Sequence, residues 1–187
     1  MRATNQNICN VIGAIIGDIA GSVYEFDNYR SKDFVMFDDY DGGRCFATDD
    51  SIMTIAVAKA LLDAGEGGEG LSELTAYNMR KVGRPYPHCG YGGRFYDWMY
   101  DDSMGPYNSF GNGSAMRVSP VAYFARNLTQ AEKFAEQTAE VTHNHPEGIK
   151  GAKVTAGLVY LALNGLNKNA LRAYAEESYD LSFTLDE

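Results

Sequence analysis

The run Ala47-Thr48-Asp49-Asp50-Ser51, followed at once by the apolar stretch Ile52 to Leu62, places two adjacent carboxylates at the mouth of a buried helix. A segment that is apolar on nearly every side belongs inside a protein. Acids at its start must then have their desolvation offset. The free amides and dipole of a helix N-terminus supply part of that, since Thr and Asp cap helices well and acids are favoured in the first turn. Two readings follow. Thr48-Asp49-Asp50 is a capped helix start, or it is a hard-cation site to which Thr48 Oγ, Asp49 and Asp50 supply oxygens.

Around this segment the pattern predicts more helices. Residues 11–25 read as a buried helix with apolar residues on most faces, and Gly13, Gly17 and Gly21 form a stripe along it. Glycine costs about 1 kcal/mol per helical site, so three on one face imply close approach by another element. Asp18 and Glu25, seven residues apart, fall on one side of that helix. A dinucleotide-binding glycine loop is excluded, because the ten mostly polar residues before it give no strand. Residues 26–46, with Phe26, Phe34 and Phe37, read as loop with at most a short strand or turn.

The acidic helix runs to about Ala64 and is closed by Gly65. A helix from about Leu71 to Val82 follows, with Leu71, Leu74, Tyr77 and Met79 as core candidates. Residues 83–93 hold two prolines and four glycines and form a loop. A short aromatic helix, Phe95 to Met99, leads into loop 101–114. Helical character resumes from Ala115 to Ala125, with Pro120 marking a kink or a new first turn. Thr129-Gln130-Ala131-Glu132 fits a capping box, with Ala131, Phe134, Ala135 and Thr138 as the stripe behind it. Thr142-His143-Asn144-His145 breaks that helix, and Pro146 opens another to about Asn164, stopped at Gly165. Asn169 to about Tyr179 is the last amphipathic segment. No alternating strand pattern occurs, so the 187 residues predict one mainly α domain.

Composition narrows the function. A hydrophobic fraction of 45% with 22% charged residues is that of a soluble globular protein. Net charge is −9 and Lys and Arg form no cluster, so direct nucleic-acid binding is not expected. Cys9, Cys45 and Cys89 fit free thiols in a reducing compartment. Asp18 interrupts the N-terminal apolar run, which argues against a signal peptide, and no 18-residue apolar run exists to span a membrane. A cytoplasmic protein is expected.

Four loops at helix ends carry polar residues suited to chemistry: Glu25, Thr48–Asp50, Ser109–Gly113 and His143–His145. Singly, each has a plain structural account as a solvated helix end, a cap, a tight turn or a histidine cap. Together they offer three acids, a hydroxyl, an amide-rich turn and imidazoles. Three carboxylates and a threonine suit a hard divalent cation. A Gly-Asn-Gly turn entering a helix at Ser114 presents amides to phosphate. Carboxylates beside a metal orient water toward an anomeric carbon. The residues therefore point to metal-dependent hydrolysis of a phosphorylated or nucleotide-like sugar.

The motifs Gly17-Asp18-x-x-Gly21-x-x-x-Glu25, Thr48-Asp49-Asp50-Ser51-Ile52-Met53, Gly90-Tyr91-Gly92, Gly111-Asn112-Gly113-Ser114-Ala115-Met116-Arg117 and Thr142-His143-x-His145-Pro146 occur in that order. In this the chain resembles the ADP-ribosylglycohydrolase family. The resemblance implies an all-α, orthogonal helix bundle that removes ADP-ribose from modified side chains or small acceptors using Mg2+ or Mn2+. It implies Thr48, Asp49 and Asp50 as metal ligands, with Asp49 and Asp50 also catalytic and Glu25 beside the scissile bond. Ser109, Phe110, Gly111 and Asn112 would hold the diphosphate and distal ribose, Gly92 the adenosine end, and His143 the ligand near its phosphates. One feature of the family is absent: no second acidic motif, Gly-Asp-(Ser/Thr)-Asp-Thr, follows Thr142. The expectation is thus a domain truncated at its C-terminus, with half of a two-metal centre. The chain is then either a hydrolase or a catalytically impaired ADP-ribose-binding module. Expected partners are ADP-ribose, ADP-ribosylated protein or small molecule, and a second copy joined through apolar surface that the missing part would cover.

Overall fold

A computed structural model describes residues 11–25, 29–37 and 44–182. Cys9, Phe26 and the C-terminal acids Asp186 and Glu187 lie outside the described residues. The described chain is all-α and contains no strand. Its helices are α1 (Ile12–Glu25), α2 (Asp49–Ala64), α3 (Leu71–Gly83), α4 (Gly93–Tyr100), α5 (Gly113–Met116), α6 (Ser119–Phe124), α7 (Leu128–Ala139), α8 (Pro146–Leu163) and α9 (Lys168–Glu176). None of them is long and apolar enough to cross a membrane.

The α2 helix is the axis of the fold. Its apolar residues surround it, so it is covered by α1, α3, α5 and α6. Met53, Ala56, Val57 and Ala60 are fully buried along it. Two clusters grow from this helix. At its C-terminal half, Val57, Ala60 and Leu61 meet Leu71 of α3, Val121 of α6, Ala131, Phe134 and Ala135 of α7, and Ala152 and Ala156 of α8. At its N-terminal half, Ile52, Met53 and Ala56 meet Met79, Phe95, Trp98, Met99 and Val141. Ile52 and Met53, which anchor this second cluster, lie in the turn of α2 that follows Asp49 and Asp50.

Several expectations are corrected. The α1 helix is not buried: only Ala20 and Ser22 are, whereas Ile12 and Ile16 are 46% and 45% exposed. Its glycine stripe receives no neighbour among the described residues, where a Cβ at Gly13, Gly17 or Gly21 meets nothing within 4 Å. Tyr77 is outside the core at 56% exposure, because it lies on the solvent side of α3 while Leu71 and Met79 face inward. The capping box is displaced by two residues. Asn127, not Thr129, caps α7, with its Oδ1 accepting from the Gln130 amide at 2.8 Å. An Asn two residues upstream reaches the same free amides in an Asx geometry, and α7 starts there. Pro120 marks a new first turn rather than a kink, since α5 and α6 are separate helices.

The turn between α2 and α3 is tight around Gly68, whose φ is +67°, and a Cβ there would lie 2.3 Å from the Phe134 ring. Left-handed backbone strain and overpacking act together at this site. Gly68→Ala is expected to lower stability by about 2–5 kcal/mol. Urea denaturation checks this, and a loss below about 1 kcal/mol would show that Phe134 yields freely.

Candidate active site

Two walls face each other across a cavity of about 380 Å³ whose lining includes Asp49, Gly92, Arg94, Tyr107, Ser109, Phe110, Gly111, Asn112, Arg117 and His143. The structure thus brings together one of the two predicted aspartates, the 109–112 turn, Gly92 and His143. Asp50 and Glu25 do not line this cavity but are coupled electrostatically to Asp49.

The acidic wall is built by the start of α2. Thr48 is its N-cap, fully buried, and its Oγ1 accepts from the Asp50 amide at 3.3 Å. The capping reading is therefore correct for Thr48. A second carboxylate completes the cap from another helix. Asp18 of α1 accepts from the Thr48 amide at 2.9 Å, from Thr48 Oγ1 at 2.6 Å and from the Ser51 amide at 3.1 Å. It also accepts from Ser51 Oγ. Asp49 is held from behind, its amide donating to the Cys89 carbonyl at 2.6 Å.

These acids repel one another. Asp49 is raised to about 6, first by burial, then by the Asp50 charge, with Glu25 and Asp18 adding to it. Asp50 is raised by burial and then by Asp18. Glu25, at the last turn of α1, is raised by partial burial, then by Asp50 and Asp18. Asp18 was not among the predicted site residues, although its seven-residue spacing from Glu25 placed both on one side of α1. That shared side is the one turned to α2.

Among the described residues no three His, Cys, Asp or Glu side chains converge closely enough to enclose a metal ion. The donor set nevertheless fits a hydrated hard cation. Mg2+ is commonly held by one or two carboxylates together with waters and ligand phosphates, and a cation beside Asp49 would offset the Asp50 charge that raises it.

The opposite wall is neutral or cationic. Loop 108–112 is stitched to the α7–α8 connection, since the Ser109 amide donates to the Thr142 carbonyl at 3.3 Å and the Asn108 amide to Asn144 Oδ1 at 2.7 Å. Phe110 stands 74% exposed at the rim, its ring centroid 5.3 Å from that of His145. The first amides of α5 have no acceptor within the helix. His145 caps α8, its Nδ1 accepting from the Glu147 amide at 3.1 Å. His143 has a different place: it is buried beneath the turn, and burial followed by the charge of Arg117 lowers its pKa to about 3. It is a neutral imidazole at any ordinary pH.

Arg117 is the residue that sequence reading missed. It is 1% exposed and pairs with no carboxylate among the described residues. Its Nη2 donates to the Thr138 carbonyl at 3.1 Å and to Thr142 Oγ1 at 2.8 Å, while Nε and Nη1 find no acceptor among the described residues. Burial lowers it to about 10, still a cation. The available signal was a lone basic residue in the run Ala115 to Ala122, which is otherwise apolar except for Ser119.

One cavity of this all-α domain thus has Asp49, with the other acids beside it, at one end and the buried cation Arg117 at the other. A family model for ADP-ribosylglycohydrolase matches residues 10–185, and the chain belongs to that family. It is 28% identical over 184 residues to mouse ADP-ribosylhydrolase ARH3, covering 84% of this chain and 49% of the mouse protein. It is 29% identical over 192 residues to the ADP-ribosylarginine hydrolase of Pseudomonas putida (strain GB-1), covering 90% and 49%. Human ADP-ribosylhydrolase ARH3 is 27% identical over 180 residues, with 82% and 48% covered. The chain spans about half the length of these curated relatives.

Titration separates the acids from the histidine. An unfolded Asp ionises near 3.8 and Asp49 only near 6, so its neutral form stabilises the fold below that range and the contribution is lost as pH rises through 6. His143 acts oppositely: its depressed pKa means stability is lost as pH falls below the unfolded histidine value. The difference between wild type and Asp49→Asn isolates the first effect. In chelator, the variant is expected to be more stable at pH 7.5 by about 1 kcal/mol after solvent screening, and equal to wild type near pH 4. Thermal melts at both pH values check this.

Proposed function

We propose that this chain takes part in hydrolysis of the glycosidic bond that links ADP-ribose to a modified side chain or small acceptor, with Mg2+ or Mn2+ bound at the acidic wall. The observation that carries this reading is the polarity of the cavity, with Asp49, raised by burial and by the Asp50 charge behind it, at one end and the incompletely hydrogen-bonded Arg117 guanidinium at the other. A diphosphate suits the cationic end and a scissile anomeric carbon suits the acidic end. The names of the mouse and Pseudomonas relatives, ADP-ribosylhydrolase and ADP-ribosylarginine hydrolase, supply the chemical class.

In this reading Asp49 and Asp50 hold the cation, joined by the remaining lone pair of Thr48 Oγ1. The cation supplies Lewis-acid orientation of a water or of a ribose hydroxyl. Asp18 keeps Thr48 and the first turn of α2 in place. Glu25 sits beside the pair, and its raised pKa lets it carry a proton closer to neutrality than a free glutamate does. The amides of the 111–113 turn and neutral His143 receive the diphosphate, Ser109 and Asn112 flank the distal ribose, and Phe110 shields it from solvent. Gly92 leaves open space, a Cβ there meeting nothing within 4 Å, which suits the bulk of the adenosine end.

Because no three acids converge among the described residues, a second reading is an ADP-ribose-binding module without turnover. Calorimetry with free ADP-ribose and a release assay on ADP-ribosylated arginine and serine peptides distinguish the two. Hydrolysis is expected with Mg2+, and Asp49→Asn or Asp50→Asn should lower it at least 100-fold, as loss of a charged ligand to a catalytic metal does. Binding without release establishes the module. Neither binding nor release excludes both readings.

The apolar exposure of Ile12 and Ile16 on α1 supports self-association. Sedimentation velocity should show a concentration-dependent species that Ile16→Ser weakens; a single monomer at all concentrations contradicts it.

A further inference from the structure

Arg117 and Thr142 are almost fully and fully buried, and the reading above uses only the charge of Arg117, not the hydrogen bonds the two residues make. Their hydrogen bonds impose a direction. A guanidinium has only donors, so Thr142 Oγ1 must accept the 2.8 Å bond from Arg117 Nη2. The same oxygen lies 2.8 Å from His143 Nδ1. With the Arg bond pointing in, the single Thr142 hydroxyl proton has His143 Nδ1 as its acceptor. A hydroxyl oxygen can accept twice, but no other acceptor for that buried proton is found among the described residues. The arrangement that satisfies both groups therefore leaves Nδ1 unprotonated, and in a neutral imidazole the remaining proton is on Nε2.

The ring is also fixed in space. The His143 amide donates to the Ala139 carbonyl at 2.8 Å. Gly148 backs the side chain so closely that a Cβ there would lie 3.0 Å from His143 Cβ. The Nε2 edge faces the glycine turn, where a Cβ on Gly113 would lie 3.0 Å from both Cε1 and Nε2, and one on Gly111 would lie 4.0 Å from Nε2. The imidazole therefore presents Nε2 beside the amides that open α5.

We infer that Arg117, acting through the Thr142 hydroxyl, holds His143 in its Nε2–H tautomer, so that the imidazole joins the 111–113 turn as a hydrogen-bond donor to an oxygen of a bound diphosphate. In this relay Arg117 and Thr142 are positioning residues, acting through the His143 ring. With Nδ1 protonated instead, the Nε2 lone pair would face the phosphate oxygens and repel them. The chain of donors also explains why a guanidinium is kept in an apolar interior: it orients a proton two groups away, and its unshared charge favours an anion in the cavity. The tautomer follows from the protein's own bonds, whereas the diphosphate rests on the function proposed above.

Nitrogen-15 spectra of the histidine rings in the full chain test the two parts separately, with His143→Gln used to assign the signal. Wild type is expected to show an unprotonated Nδ1 and a protonated Nε2 at His143. Thr142→Val, nearly isosteric, removes the hydroxyl proton and should shift the ring toward the Nδ1–H form, while Thr142→Ser should restore the wild-type pattern. ADP-ribose affinity, measured by calorimetry, should fall roughly tenfold in Thr142→Val, the loss of about one hydrogen bond to a charged group, and return in Thr142→Ser. Arg117→Met should move the tautomer in the same direction as Thr142→Val; should it not fold, the threonine pair still decides. A protonated Nδ1 in wild type, or ring signals unchanged in Thr142→Val, overturns the relay. The expected tautomers with no ADP-ribose binding by wild type uphold the relay and overturn the diphosphate assignment.

Discussion

The Asp18 carboxylate at the start of α2 is the contact on which the acidic wall depends. It accepts two amides and two hydroxyls, from Thr48 and Ser51, and so holds the exposed helix α1 against the buried helix α2 at one point. Charge-assisted bonds to a carboxylate are the strong ones, and here they do what the sparse apolar contact of α1 cannot. The same carboxylate adds a negative charge beside Asp50 and Asp49, raising both. A cap that stabilises the helix start therefore leaves the neighbouring acids in need of a cation.

The cavity owes its polarity to two helix starts built in opposite ways. At α2 the first turn carries Asp49 and Asp50 with a third acid reaching in from α1. At α5 the turn carries glycines and asparagine, with no acid, above a neutral histidine and a buried arginine. Burying an unpaired guanidinium costs several kcal/mol unless an anion or hydrogen bonds offset it. Only part of Arg117 is satisfied, so the protein tolerates in its interior a charge whose field reaches the ligand.

How much of this was legible in the sequence depended on range. Ala131, Phe134, Ala135 and Thr138 share a helical stripe, and all four are buried. The acidic helix, its closing Gly65 and the Pro146 helix start were equally readable, since caps and periodicity act over a few residues. The glycines of α1 were misread because spacing shows that a close approach is permitted, not that a neighbour arrives. Tyr77 was misjudged because an apolar ring at a helical position does not say which side of α3 faces the core. Of the four loops read as candidates, the cavity gathers Asp49, the 109–112 turn and His143 but neither Glu25 nor Asp50, and Arg117 was not among the candidates, since its hydrogen bonds reach Thr138 of α7 and Thr142 of the α7–α8 connection.

The sequence by itself determined an all-α domain, the identity of its central helix and the motifs that place it in the ADP-ribosylglycohydrolase family, because these rest on local periodicity, capping and residue order. Tertiary structure alone decided that Thr48 is held by Asp18, that Asp49 rather than Asp50 faces the cavity, and that His143 is backed by a buried cation. Each of those depends on the angle and depth at which one helix meets another. Side-chain distances across such contacts are set by packing, and no spacing along the chain encodes them.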